Sequence, residues 1–293
     1  FDTLEEALKE YQKLPPDEPV TLRLFKTFSD PFASAFSVNA PLVIEGVCGN
    51  GFACHGITVE AGRSLTMNLH GLGYVSDGTF DVSGSLTVNS GNITCSGTSL
   101  TLNNGAIFTM NGGKIEGYNA NDDAVTLNDG ATFTMTDGNV SVLKVAGAAT
   151  VNISGGQVRT LDALASAAED AAVELSGGTF GTIKTYGAGT VKDWLKSQYA
   201  FWSGSTPVDR SNLTASHELT NVSVALCDSH AFSSGVCRYC GYPCTHPDVV
   251  NNQCMTCHAM IYARITAGET VTYYDSVISA FEALNKITES PVT

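Results

Sequence analysis

Positive charge is scarce in this chain. Its 293 residues carry 15 Lys and Arg against 29 Asp and Glu, a formal net charge of −14. Such a surface repels the phosphates of nucleic acid and of an anionic bilayer, which argues against both as partners. Long apolar runs are missing as well: none approaches the roughly 20 residues of a membrane-spanning helix, so we expect no direct membrane insertion by this segment. The chain opens at Phe1 with neither an initiator Met nor a signal peptide, which reads as a processing boundary and says nothing about an anchor elsewhere. Charged residues of both signs make up only 15%. Gly, Thr, Ser and Asn fill the space that charge leaves.

Those small residues are not scattered. One phrase returns five times: LTVNSGNI at 86–93, FTMNGGKI at 108–115, FTMTDGNV at 133–140, VNISGGQV at 151–158 and VELSGGTF at 173–180. Its glycines, Gly91, Gly113, Gly138, Gly156 and Gly178, are spaced by 22, 25, 18 and 22 residues. A period near 20 with short β-type runs marks a solenoid of parallel strands. Partner runs precede the phrases: ITVEAG at 57–62, LTLNNG at 100–105, VTLNDG at 125–130. One coil therefore reads as two strands and two Gly-containing turns. Strict alternation puts Leu100, Leu102, Phe108, Met110, Val125, Leu127, Phe133 and Met135 inside and the intervening threonines outside. Stacking predicts an interior column of Leu86, Phe108, Phe133, Val151 and Val173. The fold class is all-β: a single-stranded parallel β-helix (β-solenoid) with helical caps, plus a small Cys/His-rich, zinc-ribbon-like module.

The caps follow from the need to cover open β edges. Thr3 and Glu6 fit a capping box, and Leu4, Ala7, Leu8, Tyr11 and Leu14 share one helical face before Pro15 and Pro16 stop the helix. At the far end, VKDWLKSQYAFW at 191–202 has the apolar spacing of a short closing helix. Its Trp194, Tyr199, Phe201 and Trp202 read as packing residues, with a carbohydrate platform as the alternative. The divisions are a capping helix at 1–16, the β-helix at 17–190, a C-terminal cap and Ser/Thr/Asn-rich linker at 191–221, the Cys/His module at 222–262, and 263–293.

Six of nine cysteines fall in the module, as two similar units. Cys227, His230, Cys237 and Cys240 form the first; Cys244, His246, Cys254 and Cys257 form the second. Three thiolates and an imidazole are the donor set of a closed structural zinc site. About 40 residues with so little apolar content need a staple. Zinc is preferred because disulfides need no histidine; disulfides among the same six cysteines are the alternative. His258 reads as a surface residue. Cys48 and Cys54 are close enough in sequence to bridge across one turn, and Cys95 reads as a small core residue.

The last stretch, YDSVISAFEALNKITESPVT at 274–293, repeats the first, FDTLEEALKEYQKLPPDEPVT at 1–21, with one residue deleted. Val277, Ala280, Phe281, Leu284 and Ile287 follow Leu4, Ala7, Leu8, Tyr11 and Leu14 by 273 residues. Residues 263–293 thus read as the start of a second repeat unit. The order of helix, Gly/Thr/Asn solenoid, WLKSQYAF closing segment and Cys/His knuckles resembles large surface adhesins of Gram-positive gut bacteria, with pectate-lyase-like β-helix repeats and Cys/His knuckle modules. The resemblance spans nearly the whole chain, yet its motifs are architectural and bring no catalytic residue. It implies an extracellular, cell-surface and cell-wall-associated repeat protein whose partner is a host or bacterial surface glycan or protein.

Some β-helices carry enzymes, and their chemistry makes specific demands on the residues. Glycoside hydrolysis needs paired carboxylates. Asn121-Asp122-Asp123 sits in a turn insert, His70-Gly71 precedes it rather than following, and Arg63 and Arg159 are the arginines between 50 and 190. Asp122, Asp123, Asp129 and Asp137 read as turn residues. We expect no catalytic and no organic-cofactor site, and a non-catalytic adhesin or stalk unit; the alternative is a polysaccharide-binding or polysaccharide-degrading β-helix.

Overall fold

The computed structural model describes residues 1–293 except 29–34, 48, 77, 97–98, 164–169, 186–190, 214–217, 229, 234–235, 247, 257, 268–269 and 290–293. Two compact units emerge. The first comprises Phe1–Lys196, Trp202–Thr206 and Leu213–Ala225; the second comprises Ser197–Phe201, Pro207–Asn212 and Leu226–Thr293.

The first unit is a parallel β-solenoid, and its coils have three strands rather than two. One face stacks Val20–Leu24, Leu42–Gly46, the first part of Ser64–Ser76, the first part of Ser85–Ser96, Ile107–Met110, Thr132–Met135, Thr150–Ile153 and Ala172–Leu175. Its register aligns Leu86, Phe108, Phe133, Val151 and Val173, the expected column. The third strand is the tail of the repeated phrase. Ile93, Ile115, Val140, Val158 and Phe180, each two residues past the shared glycine, form a second inward column. All five are buried. A last face carries Phe36–Val38, Ile57–Val59, Phe80–Val82, Leu100–Leu102 and Val125–Leu127. The eight residues expected inside are all at 0% exposure, and the Phe108 and Phe133 rings meet edge to face at 5.2 Å. Burying each such ring contributes about 1.5–3 kcal/mol.

Uneven spacing has a structural cause. The 25-residue step carries the extra corner at 118–124 between Lys114–Gly117 and Val125–Leu127. The 18-residue step loses that corner, because Asn139–Val145 runs unbroken across two faces. Corners are tight. A Cβ on Gly113, whose φ is +79°, would stand 2.6 Å from the Gly91 carbonyl oxygen of the coil beneath. Asparagines line the corners as ladders: Asn89 Nδ2 donates to Asn68 Oδ1 at 2.8 Å, and Asn111 Nδ2 to Asn89 Oδ1 at 2.9 Å.

Helix α1 (Leu4–Tyr11) closes the first coil. Its capping box is formed, with Glu6 N–H donating to Thr3 Oγ1 at 3.1 Å. Leu4, Ala7, Leu8 and Tyr11 are buried as expected, whereas Leu14, beyond the helix end, is 40% exposed. The other end departs from expectation. Only Val191–Trp194 is helical, as one 3₁₀ turn, and Tyr199–Ser203 is a strand. Trp194 and Phe201 are buried, in keeping with packing. Part of the expected linker is also strand: Glu218–Leu226 runs antiparallel to Thr179–Thr185 and covers the final parallel edge.

In the second unit two small hairpins, Phe232–Ser233 with Val236–Cys237 and Val249–Val250 with Gln253–Cys254, precede a third, Ala263–Ala267 with Thr270–Tyr274. Helix α2 (Val277–Glu289) follows and packs against both strands of that third hairpin.

Candidate metal centre

The two hairpins bearing the cysteines superpose in pattern at an offset of 17 residues. Phe232 pairs Cys237 as Val249 pairs Cys254. Cys237 N–H donates to the Tyr242 carbonyl at 2.8 Å, and Cys254 N–H to the Ala259 carbonyl at 3.0 Å. Gly241 N–H returns to the Cys237 carbonyl and His258 N–H to the Cys254 carbonyl, both at 2.8 Å. Each is a knuckle: a hairpin, then a turn whose closing residue has positive φ, +72° at Gly241 and +59° at His258. His258 thus occupies the turn-closing position of its knuckle and is exposed, consistent with its reading as a surface residue.

The first knuckle brings Cys227, His230, Cys237 and Cys240 together, every ligand atom within 4.8 Å of the others. The second brings Cys244, His246 and Cys254 together by the same measure. Cys257, the remaining expected ligand, lies outside the described residues, as does Cys48. The Cys227 and Cys237 sulfurs stand 3.8 Å apart, and so do those of Cys244 and Cys254. Two sulfurs each 2.3 Å from one tetrahedral ion stand about 3.8 Å apart, whereas a disulfide needs about 2 Å. Cys240 Sγ lies 3.4 Å from His230 Nδ1. These are clusters able to coordinate a metal ion.

The imidazoles reach their clusters differently. His230 is the third residue after Cys227 and stays exposed, stacked on the Tyr242 ring at 5.3 Å. His246 is only the second after Cys244; it takes a φ of +52° and is buried. Burial is the largest influence on the Cys237 thiol and works against ionisation. The backbone N–H groups of Cys240 and Tyr239, with His230, prevail and hold it down to about 6. Burial and the neighbouring thiols push Cys227 up to about 12.

Spacing gave no sign of the residues that brace the first knuckle. Asp209 accepts the Ser211 N–H at 2.9 Å, the Ser211 hydroxyl at 2.8 Å and Arg238 Nε at 2.7 Å; these hold its carboxyl down to about 2. Arg210 Nη1 donates to the Cys240 carbonyl at 3.1 Å. Arg238 and Cys240 lie about 30 residues from Asp209 and Arg210 in sequence, so only folding reveals those pairings.

In the solenoid, Asp122, Asp123, Asp129 and Asp137 serve the corners. Asp122 Oδ2 accepts the Asn119 N–H at 2.8 Å, and Asp123 accepts Lys144 Nζ at 2.7 Å. Asp129 Oδ1 accepts the Ala148 N–H and Asp137 Oδ1 the Gly138 N–H, each at 2.7 Å. Asp122 and Asp123 share one corner; Asp129 and Asp137 occupy the other two. His70 is exposed, and Arg63 Nη1 donates to the Pro16 carbonyl at 2.8 Å. Cys54 and Cys95 are free thiols in the interior; the bridge that spacing allows between Cys48 and Cys54 involves Cys48, which lies outside the described residues.

No family model, curated protein or solved structure matches this chain. The architecture itself, a parallel β-solenoid, is consistent with the pectate-lyase-like superfamily.

Proposed function

We propose that this chain is a non-catalytic repeat unit, stalk or adhesin, of an extracellular bacterial surface protein associated with the cell wall. Its Cys/His module is held by two structural zinc ions, through Cys227, His230, Cys237 and Cys240, and through Cys244, His246, Cys254 and Cys257. The observation that carries the reading is the employment of Asp122, Asp123, Asp129 and Asp137 in separate corner hydrogen bonds and an ion pair. Each acid stabilises its own turn. A partner, a surface glycan or protein, meets broad strand faces on which many weak polar contacts add up.

One observation favours the second reading, a polysaccharide-binding β-helix. Thr66, Thr87, Thr109 and Thr134 align outward on adjacent coils, beside the Asn68–Asn89–Asn111 ladder. A rung spacing of about 4.8 Å makes this a flat, regular row of hydroxyls and amides.

Glycan and cell adhesion, together with depolymerisation of pectins and host glycans, test both. We expect binding without cleavage, and each Asp→Ala variant at 122, 123, 129 or 137 to bind like the parent within about 1 kcal/mol. A catalytic acid would cost at least about 100-fold. Cleavage abolished by one variant that remains folded would overturn the adhesin reading.

A further inference from the structure

Helix α2 repeats α1 in sequence but not in environment. In α1, Leu4 and Leu8 are 5% and 4% exposed. Their counterparts in α2, Val277 and Phe281, are 49% and 62% exposed, with Ile278 beside them at 72%. Among the described side chains of that face, Ala280 alone matches its counterpart, being 7% exposed where Ala7 is 6%. Both helices begin alike. Ser279 N–H donates to Ser276 Oγ at 3.4 Å, as Glu6 N–H donates to Thr3 Oγ1 at 3.1 Å. One side of α2 rests on the Ala263–Tyr274 hairpin. Of the positions that are buried in α1, Ala280 is covered in α2 as well, whereas Val277, Phe281 and Leu284 lie open.

From this contrast we infer that α2 is the N-terminal lid of a second solenoid, and that its exposed face seats on the first coil of a second copy of this fold. This rests on the repeat-unit reading above and names the partner. The chain after α2 supports it. Pro291-Val292-Thr293 repeats Pro19-Val20-Thr21, and Val20 and Thr21 open the first strand, paired in parallel with Leu42 and Val43. The sequence after α2 therefore repeats the opening of the first strand as well as the capping helix. Water is a poor solvent for Val277 and Phe281 on the positions that α1 buries, and Ile278 beside them widens the exposed apolar patch, which marks an interface. One difference is specific. Leu284 stands where α1 has Tyr11, so the second seat lacks the hydroxyl that binds Ala40 and is apolar at that point.

The test is a chain extended at Thr293 by residues 22–293, compared with the original by hydrogen exchange and far-ultraviolet circular dichroism. We expect the β signal per chain to double and the amides of 277–289 to exchange at least about 100-fold more slowly. Phe281→Asp should erase that protection without changing the melting of the first solenoid. A doubled β signal with 277–289 exchanging as in the original chain overturns this inference and leaves the repeat reading standing. A β signal that does not double overturns both. Sedimentation of the original chain as an α2-mediated dimer, with no added protection in the extended chain, also overturns it, in favour of helix pairing.

Discussion

The Tyr11 hydroxyl donates to the Ala40 carbonyl oxygen at 2.6 Å and accepts the Ala40 N–H at 3.0 Å, tying the capping helix to the solenoid across 29 residues of sequence. Both partners are buried. Tyr11→Phe keeps the ring and orphans a buried donor and acceptor. We expect a loss of about 1–3 kcal/mol, read as a fall in melting temperature of several degrees. A melting curve identical to the parent's would mean that the pair carries no stability.

Gly113→Ala tests the coil spacing. The added Cβ meets the Gly91 carbonyl at 2.6 Å and the Ser90 carbonyl carbon at 3.0 Å, both backbone, at a φ where side chains are strained. The expected cost is at least about 2 kcal/mol. Gly105→Ala is the control: φ is similar, +77°, but beyond its chain neighbours no described atom lies within 4 Å of the added carbon, so it should cost only the conformational part, about 1 kcal/mol.

Protein purified without chelator should carry two zinc ions per chain by elemental analysis, with six metal-protected thiols in the module. Cys237→Ser should lower the content to one ion, and the solenoid should keep its melting temperature. Full thiol reactivity before chelation, or module thiols that remain unreactive after chelation until a reductant is added, would oppose zinc; the second outcome would establish disulfides.

Asp162 tests solenoid electrostatics through pH. Burial raises its pKa above the ordinary carboxylate value, although Lys184 and Lys144 pull the other way, and its Oδ1 is buried with no hydrogen-bond partner among the described residues. A carboxyl raised in the folded state makes folding less favourable above its folded pKa, and that penalty fades as pH falls towards the unfolded value of 3.8. Asp162→Asn should therefore raise the melting temperature at pH 7 by about 1–3 °C, and the gain should vanish near pH 3.5. A gain that grows on acidification would reverse the assignment.

Cys54 and Cys95 should resist thiol reagents until the chain unfolds. Burial pushes both up to about 12, so neither supplies thiolate at neutral pH. Labelling of either in the folded protein, resolved by peptide mapping, would contradict their placement inside.

Much of this fold is legible without coordinates, because it is periodic. The recurring Leu86, Phe108, Phe133, Val151 and Val173 stack in one column since parallel coils in register repeat their side-chain pattern, and two-residue alternation decides inside from outside. The capping box at Thr3 and Glu6 is equally local. The eight candidate ligands could be written down because zinc chemistry restricts donor types and spacing.

What the tertiary structure alone decided is what depends on neighbours distant in sequence. The third strand of each coil is short, three to five residues on the coils that keep a separate third corner, too few for alternation to distinguish it from the turn before it; pairing with the coils on either side makes it a strand. Glu218–Leu226 hid for a related reason. Asn221, at φ +53°, breaks the alternation between Leu219 and Val222, so the segment reads as linker until it meets Thr179–Thr185. The brace of Asp209 and Arg210 on the first knuckle likewise exists only where folding brings residues about 30 apart together. Sequence determined which side chains face inward and which can bind metal, because those follow from local geometry and chemistry. Folding decided which edges are covered and which helix face stays bare, because both depend on whether a partner surface is there to exclude water.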